Sequence, residues 1–308
     1  MRQNRDLKIR YQKEAASFDS IAQERKRHNH IPDMRASFEN TYFYNNIWRN
    51  SIFFREEYGP LCAWIIRSLK SSKVHSVVEV GCGTGWLSLE LARHGFEVTG
   101  IDLSGQSIEI AQAYYASRKE KGLRLHYRCQ NIEDYAEYAG KAVVSFGFLH
   151  HLPPKVLRNL CGLLTKKGSG VKMLLAVEPR YDHASIEMAT FIYALRLAFP
   201  NHFAYSGKNR NVRKDIAGIF EELTETRRTQ SEMDNESPSD TIIATVRKYF
   251  PKVELGYSTA FFDKFIGSAR ISGEDTSELS DLLKQLDNMI VKYNADFSRN
   301  VMIKAVYQ

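Results

Sequence analysis

The sequence predicts an α/β protein: a mostly parallel sheet of about seven strands, with an N-terminal helical segment and a helical insertion after the fifth strand. Three observations carry that expectation. Residues 73–170 alternate short, β-rich apolar runs with helical runs, the rhythm of βαβ units with right-handed crossovers. The alternation stops after Pro179 and returns at residue 239. The first strand runs into EVGCGTGW (79–86), three glycines in five positions, where a turn must come close to a bound molecule.

In chain order, residues 1–70 read as a helical cap. They are rich in aromatics (Phe18, Phe38, Tyr42, Phe43, Tyr44, Trp48, Phe53, Phe54, Tyr58 and Trp64), and Leu61, Ile65, Ile66 and Leu69 fall on one helix face. Residues 71–178 form the first part of the core. Its strands are HSVVEVG, EVTGID, LRLHYRC, AVVSFGF and VKMLLAVEP. The helix between the second and third has Ser104 to cap its start and Gly122 to close it. Residues 179–238 are the insertion and expected lid: an apolar helix over ASIEMATFIYALRLAF, a Gly/Asn/basic loop, a charged helix, and SEMDNESPSD (231–240), which has a disordered composition. Residues 239–308 complete the core with an amphipathic helix, the strand KVELGYS, a Leu-rich helix and a last strand over NVMIKAVYQ.

The composition, 308 residues at 43% hydrophobic and 26% charged, suits a folded domain with a substantial core. It lacks the long apolar run of a membrane span and the h-region of a secretory signal, so a cytoplasmic location and no membrane partner are expected. Cys62, Cys82, Cys129 and Cys161 are widely spaced, which argues against disulfides and against a metal site. The net charge of +7 comes from small groups, RKRH (25–28), KNRNVRK (208–214) and RR (227–228), read as solvated surface charge.

Two nucleotide readings compete for the glycine turn. A dinucleotide fingerprint needs a small third residue, and counting from Gly81 that place holds Trp86. The spacing is instead G-x-G-x-G, so a nicotinamide cofactor is disfavoured. Asp102, 21 positions after Gly81 at the end of the second strand, can accept hydrogen bonds from two ribose hydroxyls. Its structural alternative is to cap the next helix, a task for which Ser104 is already placed.

EVGCGTG, GIDLS, CQNIEDY and VVSFGFLHHL, in that order at successive strand ends, resemble the motif set of class I S-adenosylmethionine-dependent methyltransferases of the type 11, small-molecule kind. The resemblance covers residues 70–180 well and 239–308 loosely, and implies a Rossmann-like fold with S-adenosyl-L-methionine as cofactor. It places Gly81, Cys82 and Gly83 against the methionine part and ribose, Glu79 at the amino group, Asp102 on the ribose hydroxyls and Leu103 against the adenine. Asn131 and Ile132 would meet the adenine edge and face, and the stretch from Phe146 through Phe148 to Leu149 would lie beside the sulfonium. Lys141 departs from the pattern, where the family often has an acid opening the fourth strand.

Methyl transfer from a sulfonium asks the protein for alignment, a dry site and sometimes a base. His151 ranks above its neighbour His150 as base, with His183 second, and a histidine that merely fixes its loop is the competing reading. The motif of nucleobase amino methylation and the paired cysteines of cytosine methylation are missing, and no RNA- or DNA-binding module appears. Aromatics in the insertion (Phe191, Tyr193, Phe199, Phe203, Tyr205) and the cap predict a largely apolar, aromatic-lined cavity. The expected partner is a small hydrophobic or aromatic methyl acceptor of specialised metabolism, with carbon methylation of an isoprenoid diphosphate as one form, and a homo-oligomer is a further expectation. The alternative is an RNA or protein methyltransferase, motivated by the net charge.

Overall fold

The computed structural model describes residues 2–40, 47–199, 212–224, 230–269 and 275–307. Two helices precede the sheet, α1 (Arg2–Arg27) and α2 (Ser51–Ser71). There follow β1 (Ser76–Val80), α3 (Trp86–Arg93), β2 (Glu97–Asp102), α4 (Gly105–Arg118), β3 (Arg124–Cys129), β4 (Ala142–Phe146), α5 (Pro154–Thr165) and β5 (Met173–Pro179). The insertion contains α6 (Ile186–Ala198) and α7 (Val212–Thr224). The chain closes with α8 (Ser239–Tyr249), β6 (Lys252–Ser258), α9 (Phe262–Ser268), α10 (Asp275–Tyr293) and β7 (Asn300–Val306).

The seven strands lie in the order β3-β2-β1-β4-β5-β7-β6. β1 to β5 pair in parallel, and β7 inserts antiparallel between β5 and β6. All seven expected strands form. Central strands such as β4 and β5 read as continuous apolar runs because helices cover both faces of the sheet. Strand order reverses between β1 and β4, which opens a crevice at the carboxyl ends of those strands.

Helix ends follow local chemistry, with two departures from expectation. Ser104 does cap α4, accepting from the Ser107 amide, but the far end closes at Lys119 in the left-handed region (φ 52°). Gly122 sits three residues later, in the turn into β3, because a lysine that accepts the left-handed conformation ends the helix first. Residues 231–238, expected to be disordered, are ordered: Ser231, Met233, Asp234 and Ser237 are buried against the β4–α5 loop. Polar composition there reflects hydrogen bonding rather than solvation; the Ser237 hydroxyl donates to the Leu152 carbonyl at 2.6 Å.

α1 lies across α4, where Asp19 accepts from the Ser104 hydroxyl (2.6 Å) and the Gln106 amide (3.0 Å). α2, α9 and α10 meet around a buried ionic knot. Asp287 Oδ1 accepts the Ala260, Phe261 and Phe262 amides at 2.8, 2.7 and 2.9 Å, which caps α9. Its other oxygen lies 3.2 Å from the Lys284 ammonium, which also donates to Glu57 at 2.6 Å. Removing Asp287 strands three amides and takes from the buried Lys284 ammonium one of its two carboxylates. Asp287→Ala is therefore expected to lower unfolding stability by about 3 kcal/mol or more, read as a reduced urea midpoint at unchanged slope.

Candidate active site

The glycine turn is held from both sides. Amides of Gly81 and Cys82 donate to the Ile101 carbonyl at 2.9 and 3.0 Å, which pins the turn to the end of β2. Gly81 takes φ +70°, and a Cβ there would lie 2.3 Å from the Phe148 ring, so only glycine fits. Gly85 is likewise sealed by Tyr127, whose hydroxyl donates to the Gly85 carbonyl at 3.0 Å.

Asp102 braces the same turn. Its Oδ2 accepts the Gly83 amide and its Oδ1 the Ser104 amide, both at 2.8 Å. Burial raises its pKa, against the pull of those two amides. A carboxylate has about four acceptor positions, so two remain for further hydroxyl donors.

On the other side of the crevice, Glu178 at the end of β5 organises the loop after β4. It is fully buried. Its Oε1 accepts from the Ser145 hydroxyl (2.8 Å) and the Phe148 (3.2 Å) and Leu149 (2.9 Å) amides. Its Oε2 accepts the His150 amide (3.3 Å) and faces His150 Nδ1 at 2.9 Å. Burial pushes this carboxyl up, but the His150 bond and charge with the donated hydrogen bonds outweigh it and hold it below the usual range. His151 lies between Glu14 of α1 (Nδ1 to Oε1, 3.0 Å) and Asp234 (Nε2 to Oδ1, 3.3 Å). His150 Nε2 lies 3.9 Å and His151 Nε2 3.3 Å from Asp234 Oδ1, and each of the three residues offers one ligand atom within 4.8 Å of the others.

These residues separate two adjoining cavities. The first, about 120 Å³, is lined by Gly81, Gly83, Asp102, Leu103, Asn131, Ile132, Phe148 and His151, and roofed by Tyr11, Glu14 and Phe18 of α1. The second, about 300 Å³, is lined by Trp48, Tyr58, Trp86, Phe146, His150 and Tyr181, with Arg25, Glu57, Asp263, Lys264 and Arg299. Gly147 and Gln230 border both.

Most residues singled out from sequence thus converge on these cavities, and four do not. Glu79 lies beneath the turn, hydrogen-bonded to the Ser88 hydroxyl, and burial raises its pKa to about 8 against that bond. The Cys82 side chain packs in the core, leaving only its backbone at the turn. His183 faces Asp240 at 3.0 Å near the surface, because the turn after β5 carries it toward α8. Lys141 opens β4 at the end remote from both cavities and donates to the Tyr135 hydroxyl at 3.2 Å.

The second cavity is not largely apolar as expected: its aromatic wall faces a charged one. Its rings come from the cap and the strand ends. Phe191, Phe199 and Tyr193 instead pack the insertion on α9, against Phe261 and Phe265, because that helix must bury its own apolar face. Tyr42, Phe43, Tyr44, Phe203, Tyr205, Arg227 and Arg228, and residues 208–211 of the basic stretch, lie outside the described residues. Sequence reasoning missed Glu178, Glu14 and Asp234; no motif or periodicity marks them, and each gains its place from a distant element.

Residues 77–168 match the family model described as methyltransferase domain. Over 119 residues the chain is 37% identical to the ubiquinone biosynthesis O-methyltransferase of Chromobacterium violaceum, covering 37% of this chain and 50% of the relative. It is 40% identical over 96 residues to the protein of the same name in Xanthomonas axonopodis pv. citri, covering 30% and 39%. The chain therefore spans about half or less of the length of the curated relatives it matches. Among solved structures, magnesium protoporphyrin IX methyltransferase from Synechocystis PCC 6803 aligns with a TM-score of 0.43 at 13% identity, covering 81% of this chain and 82% of that one. The PH0226 protein of Pyrococcus horikoshii aligns with a TM-score of 0.45 at 15% identity, covering 82% and 92%.

Two outcomes are expected from this geometry. Gly81→Ala should drive Phe148 from its seat and abolish ligand protection in thermal denaturation with S-adenosylhomocysteine. The raised Glu79 carboxyl binds its proton more tightly folded than unfolded, so its contribution is complete below the unfolded pKa and lost as pH rises toward about 8. Melting temperature between pH 5 and 8 should therefore fall less in Glu79→Gln than in the wild type.

Proposed function

Taking residues 77–168 as a class I S-adenosylmethionine-dependent methyltransferase domain, we propose that the protein methylates a hydroxyl group of a small aromatic acceptor held in the larger cavity. One observation carries this reading: two adjoining cavities meet at Gly147, the motif residues line one, and an imidazole oriented by a buried carboxylate lines the other.

S-adenosylmethionine supplies an electrophilic methyl group on a sulfonium. Asp102 would take the ribose hydroxyls on its remaining acceptor positions, with Gly83 and Ser104 holding it in place. Leu103, Asn131 and Ile132 would form the adenine pocket, and Gly81 and Gly83 let backbone approach the rest of the cofactor. Phe146 and Phe148, on opposite sides of Gly147, would exclude water from the point of transfer. His150 Nδ1–H donates to Glu178, which leaves the Nε2 lone pair to accept the acceptor's hydroxyl proton as the new O–C bond forms. Glu178 then balances the imidazolium. His150 is favoured over His151 because His150 lines the acceptor cavity and His151 the donor cavity. An oriented base also favours a hydroxyl acceptor over alkene carbon methylation of an isoprenoid diphosphate. A cavity of about 300 Å³ with an aromatic wall has room for a small molecule, which favours that class of acceptor over RNA or protein.

Calorimetric titration with S-adenosylmethionine tests the cofactor. Wild-type protein should bind, and Asp102→Ala should bind about tenfold or more weakly; absent or indistinguishable binding defeats the reading. Release of S-adenosylhomocysteine across a panel of phenols and catechols should find an acceptor. With it, His150→Ala should lower kcat about 100-fold while cofactor affinity is kept. An unchanged rate removes His150 from the mechanism.

A further inference from the structure

The group RKRH (25–28), which by composition belongs on a solvated face, is split by the fold. Arg27 and His28 stay with Glu24 on the surface of α1 (2.6 and 3.1 Å), whereas Arg25 turns inward to line the larger cavity. Its guanidinium lies over the Trp48 ring, 4.9 Å from the centroid, and its Nε is buried without a hydrogen-bond partner. Desolvation by burial lowers its pKa.

The other ionic groups around the cavity are spoken for. Asp263 is bound by Arg299 Nε at 3.1 Å. Glu57 accepts from Lys284 at 2.6 Å and from the Asn300 side-chain Nδ2 at 3.3 Å. Among the described residues, no carboxylate lies within ion-pair reach of Arg25. A guanidinium cannot shed its proton, and a buried Nε beside an aromatic face gains from an anionic partner. The planar fork of its donors matches a carboxylate, and Trp48, Tyr58, Trp86 and Phe146 form a wall of close ring contacts beside it, Tyr58 and Trp86 stacked at 5.7 Å.

We infer that Arg25 is the receptor for an anionic group, of the carboxylate class, on a ligand of the larger cavity, and that the methyl acceptor brings this group: the acceptor is an anionic aromatic molecule. The inference rests on the proposed function and names its substrate class. The competing source is the carboxylate of the methyl donor itself. The acceptor is favoured because Arg25 lines only the cavity away from Asp102, Leu103 and Asn131, and because the adjacent wall is aromatic.

The test uses full-length protein saturated with S-adenosylhomocysteine and titrated calorimetrically with benzoate and with its neutral counterpart benzamide. Benzoate should bind about tenfold or more tightly than benzamide. Arg25→Gln should erase the preference, Arg25→Lys should retain part of it, and affinity for S-adenosylhomocysteine should be the same in all three proteins. Absent binding of benzoate, or equal binding of both probes, overturns the inference. So does a loss of S-adenosylhomocysteine affinity in Arg25→Gln without matching loss for 5′-methylthioadenosine, which lacks the carboxylate; that pattern assigns Arg25 to the donor. Failure of wild-type protein to bind S-adenosylhomocysteine at all strikes instead at the proposed function.

Discussion

The Glu178 carboxylate holds the site together. One buried anion at the end of β5 collects a hydroxyl, three backbone amides and an imidazole from the neighbouring β4 and its loop. A charge so deeply buried is tolerable only when each lone pair is used, and here the donors come from a loop with no regular partner of its own. The anion therefore fixes the backbone from Phe148 to His150. Through that backbone it seats Phe148 on Gly81, and through Nδ1 it sets the His150 tautomer. The seat of the glycine turn, the orientation of the His150 ring and the divide between the cavities all follow from it.

The parallel sheet explains why these parts meet. Strands β1, β2, β4 and β5 end on one edge, so Gly81, Asp102, Phe146 and Glu178 are brought together although nearly a hundred residues separate the first and last. The antiparallel β7 adds Asn300 to the same edge, beside the larger cavity. Among the described residues of the insertion, Phe191, Tyr193 and Phe199 pack away from the cavities, whereas Ser231, Met233, Asp234 and Ser237 are buried, with Asp234 against His150 and His151.

The core was legible in the sequence because its signals are local. A strand buried on both faces writes a continuous apolar run, a turn needing positive φ writes glycine, and a strand-end acid stands at a fixed distance from it. Trp86 was read only as a letter excluding a dinucleotide; in the fold it is also part of the aromatic wall. Glu14, Glu178, Asp234 and Arg25 were not legible because their meaning lies in partners far away in sequence. Charge in SEMDNESPSD and RKRH looks the same whether solvated or folded inward, and only tertiary packing decides which. The same reason turned Phe191, Tyr193 and Phe199 from the expected lining, since rings at helical spacing serve a neighbouring helix as readily as a ligand.

The first helix touches both chambers. Tyr11, Glu14 and Phe18 roof one and Arg25 borders the other, along an uninterrupted α-helical rod. At 1.5 Å per residue, the stretch from Tyr11 to Arg25 spans roughly 21 Å. In a rod of that length, a tilt that lifted the roof of one chamber would also displace the guanidinium in the other. Access to the two chambers would thereby be mechanically linked through one helix.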